Sequence, residues 1–592
     1  IAKVGVHIVN YDVGPGACIE NVGTLETRPA ATFGNGVEVE ALNEGGGREV
    51  ILFDRLDSQF AHLLCLHRYR MTLIDKLKDI ARSEAEKVKS DRGTIGAAVR
   101  ICNTRKMVDV RLGEHAVVDG AASLVNGTVL SSKDAPTTIG SDVQADDFII
   151  AEGSDVSGGA ILSKSFVGQG CRIGHQFSSQ GSVFFANCEG FHGEACSVFA
   201  GPYTLTHHKS TLLIAGLFSF YNAGSGTNQS NHLYKLGPVH EGKLERGCKT
   251  GSSSYLMWPC RVGPFSVVLG KHTRAFDTAD FPFSYIDASP EGKCLMTPGF
   301  NFTTVGTVRD GAKWHDRDRR GSDKRDRISF DVFSPLTVGR MLAGSARMKK
   351  LQDTTDRALE TVTISGAEVK RVLLRTGQKF YRLAIHMYLL EKVVARVETA
   401  LLAGTKSFTQ TLKVSPSAMF SRQWVDIGGQ MMPQGRVDEL CQAVETGHAA
   451  VETGGTAVET GGTADLDALN AELDRTHAAY AEDEWAWVCW AYKQVFAADI
   501  DGATSEDLAK IADDLATTRG KFFNLILNDA AKEFGQIART GFGQDGTEED
   551  VAADFAAVRG ELETNKFVKQ VKGDIVALAE RVERFKQAVR EL

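Results

Sequence analysis

The chain has 592 residues, about twice the ~250–300 at which single cores stop growing, so it holds more than one structural unit. Its 67 Lys plus Arg against 75 Asp plus Glu leave a net charge of −8, which excludes a nucleic-acid protein working by charge alone. No apolar run reaches the ~18–20 residues that span a bilayer, so no membrane partner is expected. No secretory leader is visible, and the chain opens at Ile1, so a missing N-terminal portion is expected. The 11 cysteines never form CxxC, which reads as free thiols in a reducing cytoplasm.

Composition divides the chain. Residues 1–300 hold 36 of the 60 glycines, and these have no three-residue period, which excludes collagen. Residues 151–300 are 14% charged (21 of 150) and residues 301–592 are 28% charged (83 of 292). Helices with solvated faces need charge, whereas stacked strands with polar turns do not. The first half therefore reads as mainly β and the second as α-helical.

In chain order, residues 1–53 are expected to form the first coils of a parallel β-helix. An aliphatic residue followed by Gly occurs at Val13-Gly14 and again at Ile95-Gly96, Leu112-Gly113, Ile139-Gly140, Val167-Gly168, Ile173-Gly174 and Val262-Gly263. Several of these separations are six residues or near a multiple of six. That spacing suits a triangular coil, in which an aliphatic side chain fills each inner corner and glycine lets the backbone turn. Residues 54–90 interrupt the coils. Leu56, Phe60, Leu63, Leu64, Leu73, Ile74, Leu77 and Ile80 fall at helical spacing, which predicts a helical insertion packed on the coils or on a neighbouring subunit.

The main coils then run from 91 to 300. Residues 301–334 contain a mixed-charge run, 308–328, read as a solvated connector. Ser334-Pro335 supplies an N-cap and a first-turn proline. Helical patterns follow at 335–357, 366–403, 465–497, 505–539 and 547–591, within a C-terminal region of 335–592. The phrase AVETG recurs at 443, 450 and 457 and marks a low-complexity loop at 443–462.

The six-residue pattern resembles the hexapeptide-repeat proteins, and that resemblance implies a left-handed parallel β-helix. The phrases FANCEGFHGEACSVFAGPYTLTHHKSTLLIAG (185–216), TNQSNHLYKLGPVH (227–240) and ERGCKTGSSSYLMWP (245–259) resemble a large bacterial family labelled only as a domain of unknown function. The resemblance covers about 1–300 and, more weakly, the helical tail. It implies the fold, with further coils ahead of Ile1, and brings no activity. Similar β-helix enzymes imply a homotrimer with sites between subunits.

Five of the 15 histidines (His207, His208, His232, His240 and His272) fall between 207 and 272. Among them Asn222, Ser225, Asn228, Gln229 and Asn231 offer hydrogen-bonding groups without charge, and Tyr234 and Lys235 follow. Such a surface suits a sugar or sugar nucleotide. A histidine titrates near neutrality and so could act as general base. The similar hexapeptide acyltransferases imply acyl transfer from acyl-CoA or an acyl-carrier protein, without a metal or a permanently bound cofactor. On that reading His232 is the expected base, with His207 or His208 next. Lys209, Lys235 and Lys249 would meet phosphates or substrate, His240 and His272 would complete the substrate surface, and Glu241 or Glu245 would orient the imidazole. Cys188, Cys196, Cys248 and Cys260 are expected to be buried small residues. Three alternatives stay open. One is a non-catalytic carbohydrate-binding or scaffold protein. Another is a relative of the sugar nucleotidyltransferases, although no GxxxxGK[ST] loop is present. The third is a β-helix enzyme with zinc on His207, His232 and His240.

Overall fold

The structure, a computed structural model, describes residues 7–405, 408–447, 452–453, 456–457 and 465–591. Much of the 443–462 repeat lies outside the described residues.

The aliphatic residues of the six-residue pattern form the inner rungs of a parallel three-faced solenoid. On the first face Ile19, Ile101, Val118, Ile139, Val156 and Ile173 stack in register, and all are buried. On the third face Val129, Ile150, Val167, Phe184, Ala200, Phe218, Leu244 and Val262 do the same. The second and third faces are joined by bent strands such as Lys106–Leu112, Ser123–Val129 and Gln144–Ile150. Each bends at a left-handed residue, Asp109, Asn126 or Asp147, residue types that tolerate that conformation. At the opposite corner coils stack too closely for a side chain. A Cβ on Gly96 or Gly113 would lie 2.5 Å from the backbone nitrogen of the next coil.

The insertion leaves the coils earlier than its helical spacing alone indicates. The chain departs after Glu26 and re-enters at Gly93. Pro29 lacks the N–H that a further rung would need. Residues 30–53 are therefore not coils: Glu38–Val39 pairs antiparallel with Val50–Ile51, ahead of helices α1 (Ser58–Leu66) and α2 (Met71–Lys87). Asp57 caps α1 by accepting from the Phe60 N–H at 2.7 Å. The insertion covers the outside of the third face, where Phe53, Phe60 and Leu63 bury against Phe166, Val183, Phe199 and Leu217. Each such side chain contributes roughly 1.5–3 kcal/mol.

The mixed-charge run is a bonded strap rather than a solvated connector over its second half. Asp326, 6% exposed, accepts from the backbone of Ser58 and Ala186, and Arg327 bonds Asp57 at 2.7 Å. Its alternating charges find fixed partners on two other segments. Helix α3 (Val305–Lys313) precedes the strap, and α4 (Pro335–Thr354) follows from the Ser334 cap. The helical pattern at 366–403 starts late, because Thr361–Ile364 and Ala367–Lys370 form a hairpin. Its turn residues, Ser365 and Gly366, both have positive φ, as a tight hairpin requires. Ala367 pairs with Cys294 and so extends the first-face sheet. Helices α5 (Arg371–Leu402), α6 (Phe408–Thr411), α7 (Gln434–Thr446), α8 (Leu466–Ala478), α9 (Tyr480–Phe496), α10 (Ser505–Lys532), α11 (Glu548–Arg559) and α12 (Lys566–Arg590) follow. Between α6 and α7 the hairpin Trp424–Ile427/Gln430–Pro433 returns to the third face and the insertion.

Candidate functional site

The side chains expected to form a site are placed on different surfaces. Gln229 and His272 are inner rungs of the second face, stacked with Leu213 and Leu256. Alternation along a strand explains this, since Asn228 points outward and Gln229 inward. His272 is fully buried, with Nε2 against the Leu269 carbonyl at 2.9 Å, and burial lowers its pKa. Asn231 is also fully buried and donates to Glu44 of the insertion. His207 stands on the first face with Nε2 2.6 Å from Glu189, which Arg319 also engages at 2.7 Å. His208 and Lys209 follow it in solvent. Asn222 is exposed on the same face, Ser225 is half-buried at a corner, and Lys249 is paired with Asp310 of α3. His232, Tyr234 and Lys235 are exposed on the loop 231–241, where His240 packs its ring 4.6 Å from Tyr234. Among the described residues no group of three or more His, Cys, Asp or Glu could hold a metal ion. Cys188, Cys248 and Cys260 are buried and Cys196 half-buried, and burial pushes the Cys260 thiol up to about 12, far from a reactive thiolate.

A different set of groups converges one strand later. The outer ladder of the third face reads Arg111, Thr128, Ile149, Phe166, Val183, Phe199, Leu217, Lys243, Arg261 and Asp277. Where it turns from apolar to charged, the roof made by α1 and the hairpin 424–433 stands off the sheet. The resulting pocket has a volume of about 300 Å³ and is lined by His62, His67, Lys243, Glu245, Arg246, Arg261, Arg340 and Asp426 among others. No residue of the 231–241 loop lines it.

Three of its four cations are committed. Arg246, 2% exposed, donates from Nε to Asp426 at 3.0 Å and from Nη2 to the carbonyls of Ser329 and Gly429, which staples the hairpin to the solenoid. Arg261 donates twice to Glu245, at 2.9 and 2.8 Å, and Arg340 approaches the same oxygen at 3.2 Å. Burial opposes ionisation of Glu245, but Arg340, Lys243 and Arg261 together outweigh it and hold the carboxyl below its ordinary range. Lys243 is different: among the described residues its ammonium makes no hydrogen bond or ion pair. Burial lowers its pKa, and Glu245 offsets that only in part. His62 and His67, with rings 6.2 Å apart, each leave Nδ1 without a partner. Burial, with Lys243 and His67 nearby, pushes His62 well below its ordinary value, and burial followed by Arg70 lowers His67. The pocket thus combines neutral imidazoles, a weakened ammonium and a clamped carboxylate, a set capable of acid–base chemistry.

Of these groups sequence reasoning reached only Glu245. The available signal was GKLER at 242–246, three charges within five residues of a charge-poor stretch. His62 and His67 sat unremarked inside an apolar helical pattern.

Residues 1–352 match the family described as domain of unknown function DUF4954, and residues 405–585 match that described as domain of unknown function DUF6819. Both matched segments line the pocket, the first from His62 to Arg340 and the second from Gln423 to Val437. A relative described as an uncharacterized protein of Treponema pallidum (strain Nichols) is 27% identical over 497 residues, 74% of this chain and 66% of the relative's own length.

Proposed function

This chain belongs to the family described as domain of unknown function DUF4954, and from that premise we propose that the roofed pocket on the third face is its functional site, with a small anionic molecule as ligand. The observation that carries this reading is Lys243, the one lining cation without a counter-charge in contact, among the described residues. A half-buried ammonium without a counter-charge in contact costs some free energy that a bound anion would recover. The reaction class such a pocket suits is group transfer to a hydroxyl or amine. A neutral imidazole takes the proton while the cation holds the anionic reactant. Acyl transfer to a sugar or sugar nucleotide falls within that class.

The test is a thermal-shift screen of the full chain against acetyl-CoA, sugar nucleotides, sugar phosphates and neutral sugars. An anionic compound is expected to raise the melting temperature, and Lys243→Met to abolish the rise. A rise that survives the substitution, or one given only by neutral sugars, overturns the reading. No rise with any compound favours the scaffold alternative.

A second reading places acyl transfer at the 231–241 loop, with His232 as base in a cleft shared between copies of the chain. In its favour, Tyr234, Leu236 and Val239 expose large apolar surface beside His232 and Lys235. Sedimentation velocity would report a trimer, and full acyl-transfer activity of His232→Ala would sink this assignment.

A further inference from the structure

We infer that the hollow where α4, the hairpin 361–370 and α5 meet is a separate anion site, suited to a diphosphate group. Its volume is about 450 Å³, and its charged lining is Arg357, Lys370, Arg371 and Arg375 against the single carboxylate of Glu360. It shares no lining residue with the third-face pocket. Residues 347–382, which build this corner, hold nine Lys plus Arg against four Asp plus Glu, in a chain whose net charge is −8. Arg357, Lys370 and Arg375 are exposed, and none of the four lining cations is in an ion pair among the described residues. Arg371 is half-buried. Its Nη2 donates to the carbonyls of Gln352 at 2.9 Å and Thr355 at 3.3 Å, which fixes the guanidinium against the end of α4.

Nothing in the fold accounts for this concentration of charge. Lys370 stands at the N-cap of α5 without a capping bond, and the first turn holds no acidic residue. Lys370 and Arg371 thus occupy the helix end whose dipole disfavours cations. Arg371 and Arg375 are four apart on one helix face, where like charges repel. A bound polyanion removes each of these costs. Four cations against one carboxylate leave an excess that a ligand with one carboxylate does not balance. A diphosphate brings several charges, with oxygens on two tetrahedral centres for the guanidinium forks. A long polyanion fits less well, because the rest of the chain is more acidic than the whole and repels whatever extends past the hollow. Leu359 and Val372, both exposed, give the hollow an apolar wall for a group attached to the diphosphate.

Isothermal titration of the full chain with pyrophosphate, ADP, adenosine, citrate and a single-stranded oligonucleotide tests this, at one ionic strength because salt screens exposed charges. Pyrophosphate and ADP are expected to bind, and adenosine not. Arg357→Gln and Arg375→Gln should each weaken both on the order of 10-fold, the worth of one charge-assisted hydrogen bond. Both side chains are exposed, so both variants are expected to fold. Lys379→Gln, one turn further along α5 and outside the hollow, should leave the affinity unchanged, as should Lys243→Met. Tighter binding of ADP than of pyrophosphate assigns the ligand to a nucleotide, and the reverse to the inorganic ion; either supports the diphosphate. Citrate binding as tightly as pyrophosphate, with the same arginine dependence, overturns it. An oligonucleotide that binds more tightly than ADP and is weakened equally by Lys379→Gln makes the corner a nucleic-acid surface and overturns the hollow. Binding lost in Lys243→Met but kept in Arg375→Gln places the anion in the third-face pocket and overturns this site alone. Absence of binding by both diphosphates overturns it as well.

Discussion

From Ile149 to Leu217 the outer rungs of the third face are apolar and share a core with the insertion, with Phe199 and Leu217 at the edge of a cavity that the same roof encloses at Lys243 and Arg261. The two stretches share one sheet, one register and one cover. They differ in what is left unmatched. In the apolar stretch the large side chains belong to one buried core with those of the insertion. At its upper end even the cation Arg111 is paired with Asp54. In the charged stretch Lys243 has no such partner. Replacing buried charges by apolar groups of similar volume is often neutral or stabilising, so stability alone does not account for a lysine there. The contrast separates the part of the roof that holds the molecule together from the part that leaves room for a ligand.

The comparison breaks most visibly on the apolar side. Phe199, buried between the Phe185 and His62 rings, should lose about 3–5 kcal/mol on truncation to alanine. Because the chain has several units, a single unfolding free energy is ill-defined. Hydrogen exchange is the better measurement, with α1 and α2 expected to lose protection while the first-face strands keep theirs. Equal loss everywhere would mean that the roof is not a separate layer. Asp426→Asn should cost about 3 kcal/mol by leaving Arg246 buried without its counter-charge. The exchange rise should centre on the hairpin 424–433 and should not reach α12.

Lys243→Met sharpens the contrast in the opposite direction. Removing an unpaired, half-buried ammonium should raise the melting temperature of the unliganded protein slightly, on the order of 1 °C. A fall in melting temperature would show that Lys243 is tied into the Glu245 network after all. The histidines give a pH signature. His62 has a folded pKa well below its ordinary value of 6.5, so it stays neutral when folded while the unfolded chain takes up the proton. Its contribution is fully present above pH 6.5 and is lost as pH falls from there through the depressed folded value. Protection of α1 should drop over that window, and His62→Gln should flatten the drop. A drop unchanged in the variant would assign it to other groups.

The unequal legibility of the two stretches follows from their physics. Inner rungs such as Ile139 and Val167 repeat a local requirement, an apolar residue beside a glycine corner, and so announce the solenoid from composition and spacing alone. The outer ladder is set by register across coils. That Lys243 sits below Leu217 and above Arg261 depends on an eleven-residue loop, 231–241, inserted between strands. The roof comes from residues 58–66 and 424–433, separated from the sheet by well over a hundred positions in one direction or the other. No local pattern carries that juxtaposition. The amide-rich run misled for a related reason, since composition does not tell which alternate residues point inward, and Gln229 and His272 proved to be rungs.

His232→Ala carries the smallest structural effect and for that reason decides most cleanly between the two functional readings. The side chain is exposed and its backbone N–H makes only a long contact, 3.4 Å, with the Ser230 hydroxyl. Stability should therefore change by no more than about 0.5 kcal/mol. A loss of acyl transfer or of assembly in this variant could not be ascribed to unfolding. It would move the chemistry from the cavity to the loop and to a cleft between copies. An unchanged melting curve with unchanged ligand binding would leave the unpaired Lys243, and not the exposed histidine, as the residue that marks the site.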